Sequence, residues 1–185
     1  MKYVLCALAS ASLTGSALAA LGGSADLTPN TIAGGFHDTM VVHNSGTTTI
    51  GTFWFSWIRG YDFMPHSPTN VAAPSGWNMQ VIGGPYPFDG YSILYQANSP
   101  ANYLAPGADL SGFAFDTVDS PAVLAGPVTL TNPPSPPRHV VTSFYYIGPA
   151  QGDPGFEFNV NIVPAPTSLA LAALGALATT RRRRA

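Results

Sequence analysis

One stretch limits the possible architectures more than any other: residues 47–58, Thr-Thr-Thr-Ile-Gly-Thr-Phe-Trp-Phe-Ser-Trp-Ile. β-Branched and aromatic residues fit a pleated strand better than a helix. At the strand period of two, Phe53, Phe55 and Trp57 share one face, and Ile50, Trp54 and Ile58 share the other. A strand that is apolar on both faces must be covered on both. It is therefore central in a layered β domain, or a loop lies over its second side.

The surrounding chain agrees. Residues 20–163 contain no lysine and one glutamate, Glu157, while Gly, Pro, Ser, Thr and Asn are abundant. That composition makes strands and turns rather than helices. Strands are predicted at residues 37–44, 47–58, 77–82, 91–97, 110–117, 139–147 and 155–163. Shorter edge segments are predicted near residues 123–124 and 128–130. Residues 20–35 read as a loose lead-in, and residues 61–76 as a long connection bearing Pro65, Pro68 and Pro74. Residues 132–137 form a proline-rich extended loop. Seven or eight short strands with turn signals between them predict an all-β, Ig-like antiparallel β-sandwich.

Both ends differ from this body. Lys2, an apolar run over residues 4–11 and Ser16-Ala17-Leu18-Ala19 have the layout of a secretory signal peptide, with cleavage between Ala19 and Ala20. Cys6, the single cysteine, lies inside that leader. At the far end Pro164-Ala165-Pro166 precedes the Ala/Leu/Gly run of residues 169–178 and then Arg181, Arg182, Arg183 and Arg184. Pro166 is suited to the first turn of a helix. A helix over residues 167–180 would be roughly 21 Å long, against the roughly 30 Å of a bilayer core. The expectation is a short C-terminal apolar helix that enters the inner membrane transiently, with its arginines on the cytoplasmic side. Three parts follow: residues 1–19 a signal peptide, residues 20–163 a β-sandwich domain, residues 164–185 a sorting signal.

Pro-x-Pro, a short apolar segment and a terminal arginine cluster resemble the PEP-CTERM sorting signal of exported bacterial proteins. The likeness covers residues 163–185 and rests on Pro164, Pro166 and the four arginines. The middle Glu of that signal is Ala165 here. The resemblance implies recognition by an exosortase-like membrane peptidase after signal peptidase has acted. It also implies removal of the tail and delivery of the body to the cell surface or extracellular matrix.

The body itself offers little chemistry. Arg59 and Arg138 are its only permanent cations against nine acids, so nucleic acid is not an expected partner. There is no Gly-x-Ser-x-Gly elbow, no His-Glu-x-x-His, no phosphate loop and no thiol nucleophile. A single Glu among scattered Asp gives no acid/base pair of the glycosidase kind. No catalytic residue, metal or cofactor is expected. His37 and His43 share a strand face but are about 20 Å apart along it, and His66 and His139 read as rim residues. Trp77, Tyr86, Phe88 and Tyr91 lie near loops, where they seal the sandwich end or stack on sugar rings. The sequence thus supports an exported, non-enzymatic surface or matrix protein. Its alternatives are a module binding extracellular polysaccharide through those aromatics and, more remotely, a secreted hydrolase.

Overall fold

A computed structural model describes residues 19–83, 90–131 and 134–164. In chain order the strands are β1 (Ser24–Ile32), β2 (Gly35–His43), β3 (Thr52–Phe55), β4 (Trp57–Ile58), β5 (Tyr61–Asp62), β6 (Thr69–Ala72) and β7 (Trp77–Gly83). They continue as β8 (Tyr91–Ala97), β9 (Asp109–Thr117), β10 (Pro127–Val128), β11 (Arg138–His139), β12 (Thr142–Tyr146), β13 (Gly155–Asn159) and β14 (Asn161–Ile162). One helical turn, α1 (Pro121–Leu124), follows β9. Ser120 starts it by accepting a bond from the Val123 N–H, and Pro121 sits in its first turn.

Two five-stranded sheets pack face to face. The first runs β14-β1-β2-β9-β6 and the second β13-β12-β3-β8-β7. Pairing is antiparallel except at one edge, where β14 lies parallel to β1. Two small ribbons, β4-β5 and β10-β11, complete the fold. The inner faces meet over Leu27, Met40, Phe53, Phe55, Ile93, Tyr95, Phe113 and Phe115, all buried. Phe113 is the hub. Its ring stands edge-on to Tyr95 at 4.9 Å, to Trp77 at 5.5 Å and to Phe53 at 5.7 Å, the geometry that aromatic quadrupoles favour.

Several expectations need correction. Ten strands build the sandwich, not seven or eight. Residues 24–32 form the nine-residue β1, where a loose lead-in was expected. Ala25 and Leu27 alternate with polar residues there and are fully buried against β2. Two apolar residues among polar ones and Pro29 carry a weak apolar signal. Residues 121–124 make a helical turn, not an edge strand.

The expected single strand over residues 47–58 is broken at Ser56, which sits in the left-handed region at φ 60°. Such a conformation costs a non-glycine residue roughly 1–2 kcal/mol. It inverts the alternation, so Trp57 does not share the inner face with Phe53 and Phe55. Instead it stacks on the outer-facing Trp54, with ring centroids 4.3 Å apart. Phe144 and Tyr146 stand edge-on to it.

The C-terminal apolar helix expected at residues 169–178 lies outside the described residues. Among the described residues no helix is long and apolar enough to cross a membrane; the helical pieces are α1 and a single turn at Pro100–Asn102. The transmembrane helix, the inner-membrane tether and the localisation step built on them are therefore withdrawn.

Truncating the hub should be severe. Phe113→Ala is expected to lower unfolding stability by about 3–5 kcal/mol, the usual cost of removing a buried aromatic ring. Urea unfolding followed by tryptophan fluorescence measures it, and a loss under about 1 kcal/mol would mean the rings do not pack as described.

Candidate functional site

Polar chemistry gathers on the first sheet and at one end of it. The fold has few permanent cations, and three of its histidines take up aspartates instead. His43 on β2 bridges two strands: Nδ1–H donates to Asp109 Oδ1 on β9 at 2.7 Å, and Nε2 reaches Asp26 Oδ2 on β1 at 3.3 Å. Asn161 of β14 donates to the other oxygen of Asp26 at 3.1 Å. One clasp thus crosses β14, β1, β2 and β9. A second crosses β2, β9 and β6: His37 Nδ1–H donates to Asp116 Oδ1 at 2.6 Å, and Asn70 donates to Asp116 Oδ2 at 2.7 Å. His66 Nδ1–H donates to Asp119 Oδ1 at 2.7 Å.

Two groups in the clasps, His43 and Asp116, are moved from their ordinary range. The Asp109 hydrogen bond, aided by Asp26, holds the His43 imidazolium above the usual histidine range. Asn70 first, then His37, hold Asp116 below the usual carboxylate range.

Asp38 is different in kind. It shares the core-facing parity of Met40 and Val42, is 0% exposed, and neither carboxyl oxygen has a hydrogen-bond partner. Burial lifts its pKa from 3.8 to about 6; the nearby His37 opposes this, and Asp116 and Asp119 add to it. A buried carboxyl without donors is held most cheaply as the neutral acid.

Beside this group a surface cleft of about 220 Å³ opens between the β1–β2 turn and the end of β9, lined among others by Ser67, Thr69 and Asp116. The hydroxyl of Ser67 donates to Pro68 O at 3.5 Å, not to a histidine. Among the described residues no three of His, Cys, Asp and Glu converge as metal ligands. The arrangement can neutralise charge and join strands.

The aromatics proposed for ligand contact separate. Trp77 is 7% exposed, its Nε1–H donates to Asn102 O at 3.0 Å, and its ring belongs to the core. Tyr91 packs against the same core and lies over Gly83. Both seal the sandwich rather than present a platform. Tyr86 and Phe88 lie outside the described residues, as do Ala17, Ala165, Pro166, Arg181, Arg182, Arg183 and Arg184. Ala19, Ala20 and Pro164 are described and exposed. The sequence reading missed the His–Asp clasps because cross-strand register alone creates them. Asp38 could have been noticed, since it falls on the apolar parity of its strand.

No family model and no curated protein matches the chain. Among solved structures, an uncharacterized protein from Nocardia farcinica with an immunoglobulin-like fold is similar at a TM-score of 0.43 and 11% identity, over 77% of this chain and 88% of that one. A GH20 exo-β-N-acetylglucosaminidase from Vibrio harveyi, in an inactive mutant form, is similar at a TM-score of 0.40 and 10% identity, over 77% of this chain and 18% of that one. At these scores neither likeness bears on function.

The titrations give a signed pH dependence. Folding favours protonated Asp38, so its contribution to stability is whole below about pH 4 and is lost as pH rises through about 6. His43, also raised, contributes below about 6.5 and loses that contribution at higher pH. Asp116, lowered, contributes above about 4 and loses this only on stronger acidification. The urea midpoint should therefore be higher at pH 5 than at pH 8. Asp38→Asn should shrink the difference, and an unchanged difference in that variant would remove Asp38 as its source.

Proposed function

We propose that this chain is an exported surface or extracellular-matrix protein whose β-sandwich acts structurally or adhesively rather than catalytically, and whose two ends are processing signals. The carrying observation is where the backbone ties into the fold. At the N-terminal side the Ala20 N–H donates to Thr47 Oγ1 at 2.8 Å and the Thr47 N–H donates to Ala20 O at 2.9 Å. At the C-terminal side the Val163 N–H donates to Leu27 O at 2.8 Å, and Pro164 is exposed. These anchors fall at the expected leader cleavage after Ala19 and just ahead of the Pro164-Ala165-Pro166 motif. Removal at either point would leave the hydrogen bonds among residues 20–163 of the described chain in place.

The acidic, cysteine-free body suits this role. Its cohesion comes from a broad aromatic core and short-range His–Asp contacts, which need no disulfide. Trp77 and Tyr91 pack into the sandwich, so a sugar platform built on them is not part of this reading. Nor is a membrane tether.

Mass spectrometry of the protein recovered from cells and medium tests the proposal. The expected material begins at Ala20, ends close to Pro164 and lacks the arginine cluster. Surface material that retains Arg181 to Arg184, or cytoplasmic material with an intact leader, would overturn it.

A further inference from the structure

A two-sheet sandwich has four lateral edges, and three of them are blunted here. β14 is two residues long. β6 pairs irregularly with β9 and lies between Pro68 and Pro74. β13 follows Pro154 and carries Glu157, ion-paired with Arg138 at 3.2 Å. Edge strands left long, flat and uncharged invite another strand, and folds usually guard against this.

β7 is unguarded. All seven of its residues pair in regular register with β8, and it has no proline, no charge and no bulge. Asn78, Met79 and Gln80 are exposed, Met79 by 47%. The pattern of antiparallel bonds fixes which groups face outward. The Ala97 N–H donates to Gly51 O on the far side of β8, so the alternation turns Gln96 and Leu94 toward β7. Their partners Asn78 and Gln80 are therefore bonded inward. The N–H and C=O groups of Met79 and Val81 point away from the sheet, and among the described residues no backbone group pairs with them.

We propose that β7 is a dimerisation edge, pairing antiparallel with β7 of a second copy of this chain about a two-fold axis at Gln80. A strand placed antiparallel to itself is self-complementary about such an axis. In this register Met79 of each copy lies opposite Val81 of the other, and both residues satisfy their outward backbone groups. On one face Met79 and Val81 cover each other. On the other, the two Gln80 amides meet and can exchange hydrogen bonds.

Charge favours a second copy as the occupant. β3, β7 and β8 carry no charged side chain, in a body with two arginines against nine acids. This is where two acidic molecules can approach without like charges opposed. A foreign strand would need pockets that read its side chains. Along the described edge lies a notch of about 90 Å³ lined by Asn78, Met79, Gln80, Leu94 and Gln96, small for a side-chain pocket.

Sedimentation equilibrium of the full chain across a concentration series tests this. The wild type should titrate from monomer to dimer, without higher species. Gln80→Lys and Gln80→Glu each put like charges on the axis and should each weaken the dimer at least about tenfold, or about 1.4 kcal/mol. Their far-UV spectra and urea midpoints should stay unchanged, because the side chain is exposed. Mixing the two variants should restore association, since Lys then faces Glu. A wild type that is monomeric throughout, dimers that survive both single variants, or a mixture that stays monomeric would each overturn the proposal.

Discussion

The fold depends on covering β3 twice. All four of its residues are buried, and they alternate between the two faces of the second sheet. Phe53 and Phe55 are covered by the first sheet, through Phe113 and Phe115. Trp54 faces the other way and would lie in water in a plain two-layer sandwich. The chain solves this locally. Ser56 turns left-handed, its N–H donates to Ser143 Oγ, and the β4–β5 ribbon folds back so that Trp57 lies on Trp54. Arg59 ties the ribbon to the opposite loop by donating to Gln151 O. Burial of two indole rings, each worth roughly 1.5–3 kcal/mol, outweighs the roughly 1–2 kcal/mol of a left-handed serine.

Electrostatics follows from the same economy of side chains. A body without lysine cannot neutralise its aspartates with permanent cations, and its two arginines are engaged elsewhere. Histidine takes that place on the first sheet. His43 and His37 each reach across strands that the backbone ladder already joins, so each clasp adds lateral cohesion at right angles to the chain. Because Asp109 holds the His43 imidazolium above the usual histidine range, the His43 clasp varies with pH where a lysine clasp would not. Asp38 adds to the same trend from inside the core, since its neutral form suits the apolar site and its anion does not.

How much of this could be read in advance depends on how local each cause is. Strands β8 and β9 were legible, because Ile93 and Tyr95 or Phe113 and Phe115 alternate with smaller or polar residues over most of their length. β1 was not, because Ala25 and Leu27 are too small a signal beside Pro29 and the polar residues. The parity inversion at Ser56 was not either: serine has no left-handed preference of its own, and only Trp54's need for cover selects it. That a loop might lie over the second face was readable; that the same stretch supplies Trp57 as the cover was not. The clasps require register, and register is a long-range property. The ends are the reverse case. The patterns read there as signals are compositional and need no register, and residues 1–18 and 165–185 lie outside the described part of the chain.

The layout of the edges ties these threads together. β1 packs against β13, and β6 against β7, so β14 and β13 lie along one side of the sandwich while β6 and β7 lie along the other. Apart from the Ala20–Thr47 pair, whose Thr47 lies in the β2–β3 loop, the chain near both ends bonds to the first side or to a strand beside it. Val163 bonds to Leu27 of β1, and Gly22 bonds to the hydroxyl of Tyr145 on β12. The uncharged β7 edge is across the body from them. A partner strand added there would lie away from Gly22 and Val163, where the described chain enters and leaves the fold. The side-to-side order of strands in the two sheets thus sets the β7 edge opposite the side to which Val163 and Gly22 are bonded, which is the arrangement that the proposed processing and the proposed pairing would each need.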